Sequence, residues 1–440
     1  MPPPGGPEEL GEQVARIIGR PLDRSKPLWE IYVFEGLEDG GFAVLNKVHH
    51  ATIDGASGVE MLSMLLDVEP RGGEHPAIED DWAPDRVPGQ LELVGRATAS
   101  LLGRPRTAMR LQVRAVNELA QRTRSKGLGR VADQMRRGLP GPAGDAVRAI
   151  TGTAREPHDE RPIPPRALAP HTPFNHSITP HRRFAYRSAD LQQVKDIKAA
   201  LGLTVNDVVM AVCAGALRRY LETHDALPED PLVSMVPVSI RTGEEADRWT
   251  NRVSAIFAGL PTDVADPIQR VRAARAAMLD AKERFDMVPA DVLVDAASLA
   301  PPALANRAAR LAARLHLGDR VAPVVNVVIS NVPGPRIPHY LGEARMTHFY
   351  PASAITEGVG LNITVQSYCD ALDFGVVACR ELTPDAWRLT DLLIEEIEAL
   401  AVATGTSRSP AATTETGAGT TGDEKADDKK AGDKKAGKKK

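Results

Sequence analysis

Apolar residues first recur at helical spacing in PEELGEQVARIIGR, at Leu10, Val14, Ile17 and Ile18, which predicts a short amphipathic helix. The pattern then switches to period two. In PLWEIYVFEGL, Ile31, Val33 and Glu35 alternate against Tyr32 and Phe34, and GGFAVLNKV continues as a second strand. Asp39-Gly40-Gly41 supplies the turn between them. Helical spacing returns in GVEMLSMLLD at Val59, Leu62, Leu65 and Leu66. Residues 71–90 are rich in Pro, Gly and acid and read as a loop.

The second part of the chain repeats the alternation of strands and helices. RRFAYRSAD reads as a strand and LQQVKDIKAALG as a helix. TVNDVVMAVCAGALRRYLE is the strongest helix. Thr204 and Asp207 suit a capping box, and Val208, Val209, Val212, Ala216, Tyr220 and Leu221 form its buried stripe. PLVSMVPVSIR, ending at Arg241, and NRVSAIFAGLP are strands. A long Ala/Arg helical stretch covers 266–316, and three strands follow: VVNVVISNVPGP, GVGLNITVQSYC and ALDFGVVAC. PDAWRLTDLLIEEIEALAVA is the last helix. The expected class is α/β, with mixed sheets flanked by helices.

Charge divides the chain further. Residues 91–150 carry 12 Lys and Arg against 4 Asp and Glu, a net of +8, with Leu and Val interleaved. They read as one or two basic helices, either a solvated pair covering a core or an attachment to an anionic membrane surface. Residues 155–182 form a Pro- and His-rich crossover, and the irregular spacing of His158, His171, His176 and His181 favours an ordinary loop over metal ligation. The expected organisation is an N-terminal half at 1–154, the crossover at 155–182, a C-terminal half at 183–404 and a disordered Lys/Asp-rich tail at 405–440.

Composition excludes several classes. A net charge of -4 argues against a globally basic nucleic-acid binder, and 42% hydrophobic residues suffice for a sizeable core. Cys213, Cys369 and Cys379 lack metal spacing and read as reduced. The opening MPPPGGPEEL lacks the basic and apolar regions of a secretory signal, so a cytoplasmic location is expected. No apolar run reaches the roughly 18 residues of a membrane span, so lipid contact would have to come from the surface.

The stretch KVHHATIDGASG, residues 47–58, carries the clearest chemistry. His50 and Asp54 lie four apart across a predicted strand-to-helix turn. Asp54 suits a helix cap, and Gly55 permits a close backbone approach or a positive φ. A histidine there suits proton transfer because its ordinary pKa lies near neutrality. A zinc reading is weaker, since the string does not match His-Glu-x-x-His and no second cluster completes a ligand set. From these residues alone a base, a metal ligand and a structural turn all remain open.

PLDRSKPLWE precedes that stretch, and VNDVVMAVCAGALRRYL, VPVSIR, VISNVPGPRIPHYLG and GVGLNITVQSY follow it in order. Together these segments resemble the bacterial wax ester synthase/diacylglycerol acyltransferase family over residues 7–403. The resemblance implies two halves like chloramphenicol acetyltransferase and peptide-synthetase condensation domains, meeting at a channel. Acyl-CoA would enter from one side as co-substrate, and diacylglycerol or a long-chain alcohol from the other, with no metal and no other cofactor. It makes His50 the general base, His49 its support, Asp54 structural and Gly55 the turn. It also nominates four substrate-binding positions: Asn206, which otherwise belongs to a helix cap, Arg241, Asn331 in SNVPGP, and Asn362. Asn362, Thr364 and Gln366 share one face of their strand, which lines the channel or meets solvent. The expected setting is the inner membrane face or a lipid droplet. The rivals are a catalytically impaired lipid-binding remnant and a condensation-type enzyme that uses a carrier protein.

Family members carry the histidine motif further from the start than here. The chain therefore reads as N-terminally truncated relative to the family, without the first strands and helix of that half. Exposed strand edges and apolar surface are expected. Arg24 or Arg241 would have to replace the early arginine that pairs with the motif aspartate in related folds.

Overall fold

The computed structural model describes residues 3–52, 64–71, 168–239, 253–287 and 310–407 apart from position 312, with a few isolated positions between 58 and 95. Helix α1 (Pro7–Ile18) begins with a proline in its first turn, where a missing N–H costs nothing, and Glu8 and Glu9 complement the helix dipole. Val14, Ala15 and Ile17 of its apolar stripe are buried. Strands β1 (Trp29–Phe34) and β2 (Ala43–Val48) form an antiparallel hairpin, with Trp29 opposite Val48 and Phe34 opposite Ala43. Its turn uses Gly40 at φ 75, and Gly41 N donates to Asp39 Oδ1 at 2.9 Å.

The remaining elements build around one mixed sheet. They are β3 (Arg182–Asp190), α2 (Leu191–Leu201), α3 (Val205–Thr223), β4 (Leu232–Ser239), β5 (Val253–Leu260), α4 (Pro267–Met287), β6 (Val327–Val332), the short pair β7 (Tyr340–Leu341) and β8 (Ala344–Arg345), β9 (Leu361–Tyr368), β10 (Ala371–Cys379) and α5 (Ala386–Thr404). The sheet order is β3-β10-β9-β6-β4-β5. β6 runs parallel to both neighbours, and the other pairings are antiparallel. This is the α/β class expected from the sequence.

Period-two alternation gives the sheet two different faces. Leu361, Ile363 and Val365 of β9 and Leu372, Phe374, Val376 and Ala378 of β10 join the core formed with α2, α3, α4 and α5. Phe184, Val377 and Cys379 point the other way, against Val14 and Ile17 of α1, Phe34 of the hairpin and Ile355. Helix α3 is buried on nearly every side, as an all-round apolar helix must be. Its predicted capping box is present: Thr204 Oγ1 accepts from Asp207 N at 3.2 Å, and Asp207 Oδ2 accepts from Thr204 N at 2.9 Å. Burial pushes the Cys213 thiol in α3 up to about 12, which leaves it unsuited to nucleophilic attack.

Several expectations need restriction, and one feature was not read. The helical stretch at 266–316 is α4 to Met287 and a short helical piece near 310–314, with 288–309 outside the described residues. Leu65, one of the apolar residues at helical spacing in GVEMLSMLLD, is exposed. Most of that helix, and all of 101–167 with its basic segment, lies outside the described residues. The β7–β8 hairpin was not read from sequence, because two-residue strands carry no periodicity.

The crossover is more than a loop where it is described. Asn175 is fully buried and its Nδ2 donates to Asn326 O at 3.0 Å and Gly358 O at 2.9 Å. Asn326 Nδ2 in turn donates to Asn175 Oδ1 at 2.7 Å. His176 meets Asp319 at 3.2 Å and His181 meets Glu381 at 2.6 Å, so these rings pair with carboxylates. Partial burial pushes the Glu381 pKa up, but hydrogen bonds from Thr179, His181 and Cys379 outweigh it and hold the carboxyl at about 2. The stabilisation is therefore complete above the ordinary value of 4.5 and is lost as pH falls toward 2. Wild type should lose its Tm advantage over Glu381→Gln across that window; parallel Tm–pH curves would contradict this.

Candidate functional site

The histidine motif begins where β2 ends, and β2 is anchored just before it. Lys47 Nζ donates to Ile17 O at 3.0 Å and Arg20 O at 2.8 Å, which places a cation at the C-terminus of α1. The same ammonium pairs across the strands with Glu30 at 3.3 Å. His49 N donates to Leu28 O at 2.9 Å and extends the ladder by one residue. The chain then turns: Thr52 N and Thr52 Oγ1 both donate to His49 O, at 2.9 and 2.7 Å.

The two histidines sit in different surroundings. His49 is half-buried, and its Nδ1 accepts from Ala51 N at 3.1 Å. That bond places the proton of the neutral ring on Nε2 and makes the ring part of the turn. His50, one residue on, is exposed at the start of the turn. Asp54, Gly55 and Arg241 lie outside the described residues, so the brace and its arginine partner do too; Arg24 is exposed.

Asn206 and Asn331 come together. Asn331 Nδ2 donates to Asn206 Oδ1 at 3.4 Å, joining the end of β6 to the first turn of α3. The cap of α3 belongs to Thr204 and Asp207, so the cap alternative for Asn206 falls. Asn362 is not with them. Asn331 pairs with Val365, a core residue of the helix-covered face, whereas Asn362 is one step out of phase and faces the other side.

Asn362, Thr364 and Gln366 form a row on that other face, and none of them meets solvent. The strap between β8 and β9 crosses the row. Asn362 Nδ2 donates to Ala354 O at 3.3 Å, and Thr364 Oγ1 donates to Asn362 Oδ1 at 2.8 Å. Ser353 Oγ therefore donates to Thr364 Oγ1 at 2.8 Å. The strap passes so close to β10 that a methyl group on Gly375 would lie 1.8 Å from Pro351 O.

Asp373 fastens the strap. It is fully buried and accepts from Ser188 Oγ at 2.6 Å and Phe349 N at 2.7 Å, with His348 Nδ1 at 3.0 Å. The hydrogen bond to Asp373 raises the His348 pKa above its ordinary value despite burial. Ser, His and Asp meet here without forming a nucleophilic relay. A relay needs hydroxyl and carboxylate on opposite ring nitrogens, and both approach Nδ1. Sequence reasoning missed this cluster, although an aspartate inside the apolar run ALDFGVVAC was a usable signal.

The hairpin's outward face is apolar and open. Trp29 is 56% exposed and Val33 58%, beside Ile31 and Val44. Among the described residues no group of three His, Cys, Asp or Glu is placed to hold a metal ion. No single described helix is long and apolar enough to cross a membrane. A bent pair, α2 with α3, passes by length and composition, but α3 is a core helix.

Known proteins set the class. Residues 1–209 match the wax ester synthase/diacylglycerol acyltransferase catalytic domain, and residues 249–401 match the WS/DGAT C-terminal domain. A putative diacylglycerol O-acyltransferase of Mycobacterium tuberculosis is 36% identical over 413 residues, covering 92% of this chain and 81% of that protein. The O-acyltransferase WSD of Acinetobacter baylyi is 33% identical over 403 residues, covering 90% of this chain and 78% of its own length. A solved wax ester synthase/diacylglycerol acyltransferase from Marinobacter aquaeolei VT8 superposes with a TM-score of 0.59 at 29% identity, covering 92% of this chain and 78% of that one. This chain belongs to the wax ester synthase/diacylglycerol acyltransferase family.

Proposed function

We propose that this protein transfers a long-chain acyl group from acyl-CoA to the hydroxyl of diacylglycerol, and also to fatty alcohols, with His50 as general base. The observation that carries the reading is the division of labour at the end of β2. His49 is committed to the turn through Nδ1, while His50 is exposed beside it. Family membership supplies the reaction class. The His50 imidazole takes the acceptor hydroxyl proton as that oxygen attacks the thioester carbonyl. The tetrahedral oxyanion collapses, the C–S bond breaks, and the imidazolium returns the proton to the departing CoA thiolate. Acyl-CoA is a co-substrate, and this route uses no metal, prosthetic group or covalent acyl-enzyme. Asp54 and Gly55 keep the structural roles that the family resemblance gives them, and Arg241 remains a candidate CoA or Asp54 partner.

The proposed setting is a cytoplasmic membrane face or lipid droplet, where both water-insoluble acceptors reside. The open apolar face around Trp29 and Val33 supports it, since aromatic side chains favour that interface. Purified protein should acylate dipalmitoylglycerol and hexadecanol with palmitoyl-CoA, giving triacylglycerol and wax ester by thin-layer chromatography. Transfer to neither acceptor would overturn the reading and favour a non-catalytic lipid binder.

A further inference from the structure

We infer that Gln366 binds substrate: its side-chain amide donates to the carbonyl oxygen of an acyl ester or thioester. The inference rests on the acyl-transfer reading for its ligand chemistry, and on the row of β9 for its geometry. Asn362, Thr364 and Gln366 are 4%, 3% and 3% exposed. The first two are committed to the strap through Ala354 O and Ser353 Oγ. The third is not. Gln366 Nε2 is buried and has no hydrogen-bond partner among the described residues.

A buried amide donor without an acceptor destabilises the fold, and native chains keep few of them. An acceptor that arrives with a ligand resolves it. A carbonyl oxygen fits, because it offers lone pairs and brings no proton of its own. The neighbouring turn comes close to that amide. A methyl group on Gly334 would lie 3.0 Å from Gln366 Nε2 and 1.9 Å from Ser367 O. Gly334 N donates to Ser367 Oγ at 3.0 Å, which fixes the turn against the end of β9. Val332, just before the turn, pairs with Gln366 in the parallel ladder. The NVPGP segment thus acts as a side wall for a single amide donor.

Gln366→Leu keeps the size and deletes the donor. Binding to the full chain is measured with two ligand pairs: palmitoyl-CoA against its thioether S-hexadecyl-CoA, and dipalmitoylglycerol against dihexadecylglycerol. The thioether lacks only the thioester carbonyl, and the diether lacks only the two ester carbonyls. Wild type should prefer one carbonyl ligand over its twin by about tenfold, the scale of one hydrogen bond. The pair that shows the preference identifies whether the donor or the acceptor carbonyl is held. Gln366→Leu should abolish the preference, bind the ether twin as before, and melt at the same temperature or higher. Gln366→Met, which offers no donor at any pH, should lose the preference too and replaces the leucine variant if that one fails to fold. A preference that survives either substitution overturns the inference, as does a wild type that does not distinguish either pair. A lower Tm with the preference intact would make Gln366 a packing residue. Binding is read without turnover, so a chain that holds the carbonyl but transfers nothing refutes the proposed activity alone.

Discussion

Replacing His50 with alanine is expected to slow acyl transfer by about two to four orders of magnitude, the usual contribution of a general base. Tm should barely change, because the His50 side chain is exposed at the start of the turn. His49→Ala should behave differently. It removes the acceptor of Ala51 N and loosens the turn, so it should lower Tm as well as rate. His49→Asn keeps a side-chain acceptor near the same amide and should recover part of both. Initial rates with palmitoyl-CoA and dipalmitoylglycerol, set beside melting curves of the three variants, separate base from brace. A His50→Ala protein with wild-type rate would sink the base assignment. Equal rate losses in both alanine variants with unchanged Tm would sink the division of labour.

Legibility from sequence followed how local the determinant is. The capping box of α3, the stripe of α1 and the strand alternation are written in neighbouring residues, and each is found where it was read. Alternation also separated Asn362, Thr364 and Gln366 from Leu361, Ile363 and Val365. It left open what covers the polar side, because a period of two distinguishes faces and not their surroundings. The cover is the strap at 347–355, whose irregular backbone has no period to detect and which is fixed by distant partners at Asp373, Gly375 and Thr364. Asn331 and Asn362 belong to neighbouring motifs, yet the odd, three-residue offset in the β6–β9 register sets them on opposite sides. The histidine motif gave its residues but not their surroundings, such as the bond from Ala51 N to His49 Nδ1.

Glu396→Ala is expected to destabilise the protein by about 3–5 kcal/mol, the range for orphaning one member of a buried ion pair. Glu396 Oε2 and Arg270 NH2 are 2.5 Å apart, with both side chains 5% exposed, between α5 and α4. Burial lowers the Arg270 pKa, and the Glu396 charge works against that shift. The remaining guanidinium hydrogens reach Val264 O at 2.9 Å and Ala265 O at 3.1 Å. Removing the carboxylate leaves a desolvated cation that those carbonyls alone do not balance. The double variant Arg270→Met/Glu396→Leu removes both charges and should be far less destabilised than Glu396→Ala, since an apolar pair of similar volume replaces the ion pair without an orphan. Gly215 of α3 completes the arrangement. A methyl group there would lie 2.0 Å from Glu396 Oε2 and 2.8 Å from Arg270 NH2. Gly→Ala normally favours a helix by about 1 kcal/mol, so a loss of stability in Gly215→Ala would reverse the intrinsic preference. In the Arg270→Met/Glu396→Leu background the methyl no longer meets a charged pair, and the Gly215→Ala penalty should shrink. Urea denaturation of the single, double and triple variants checks both couplings. Additive penalties would mean that glycine, arginine and glutamate do not act as one packed unit at the junction of α3, α4 and α5.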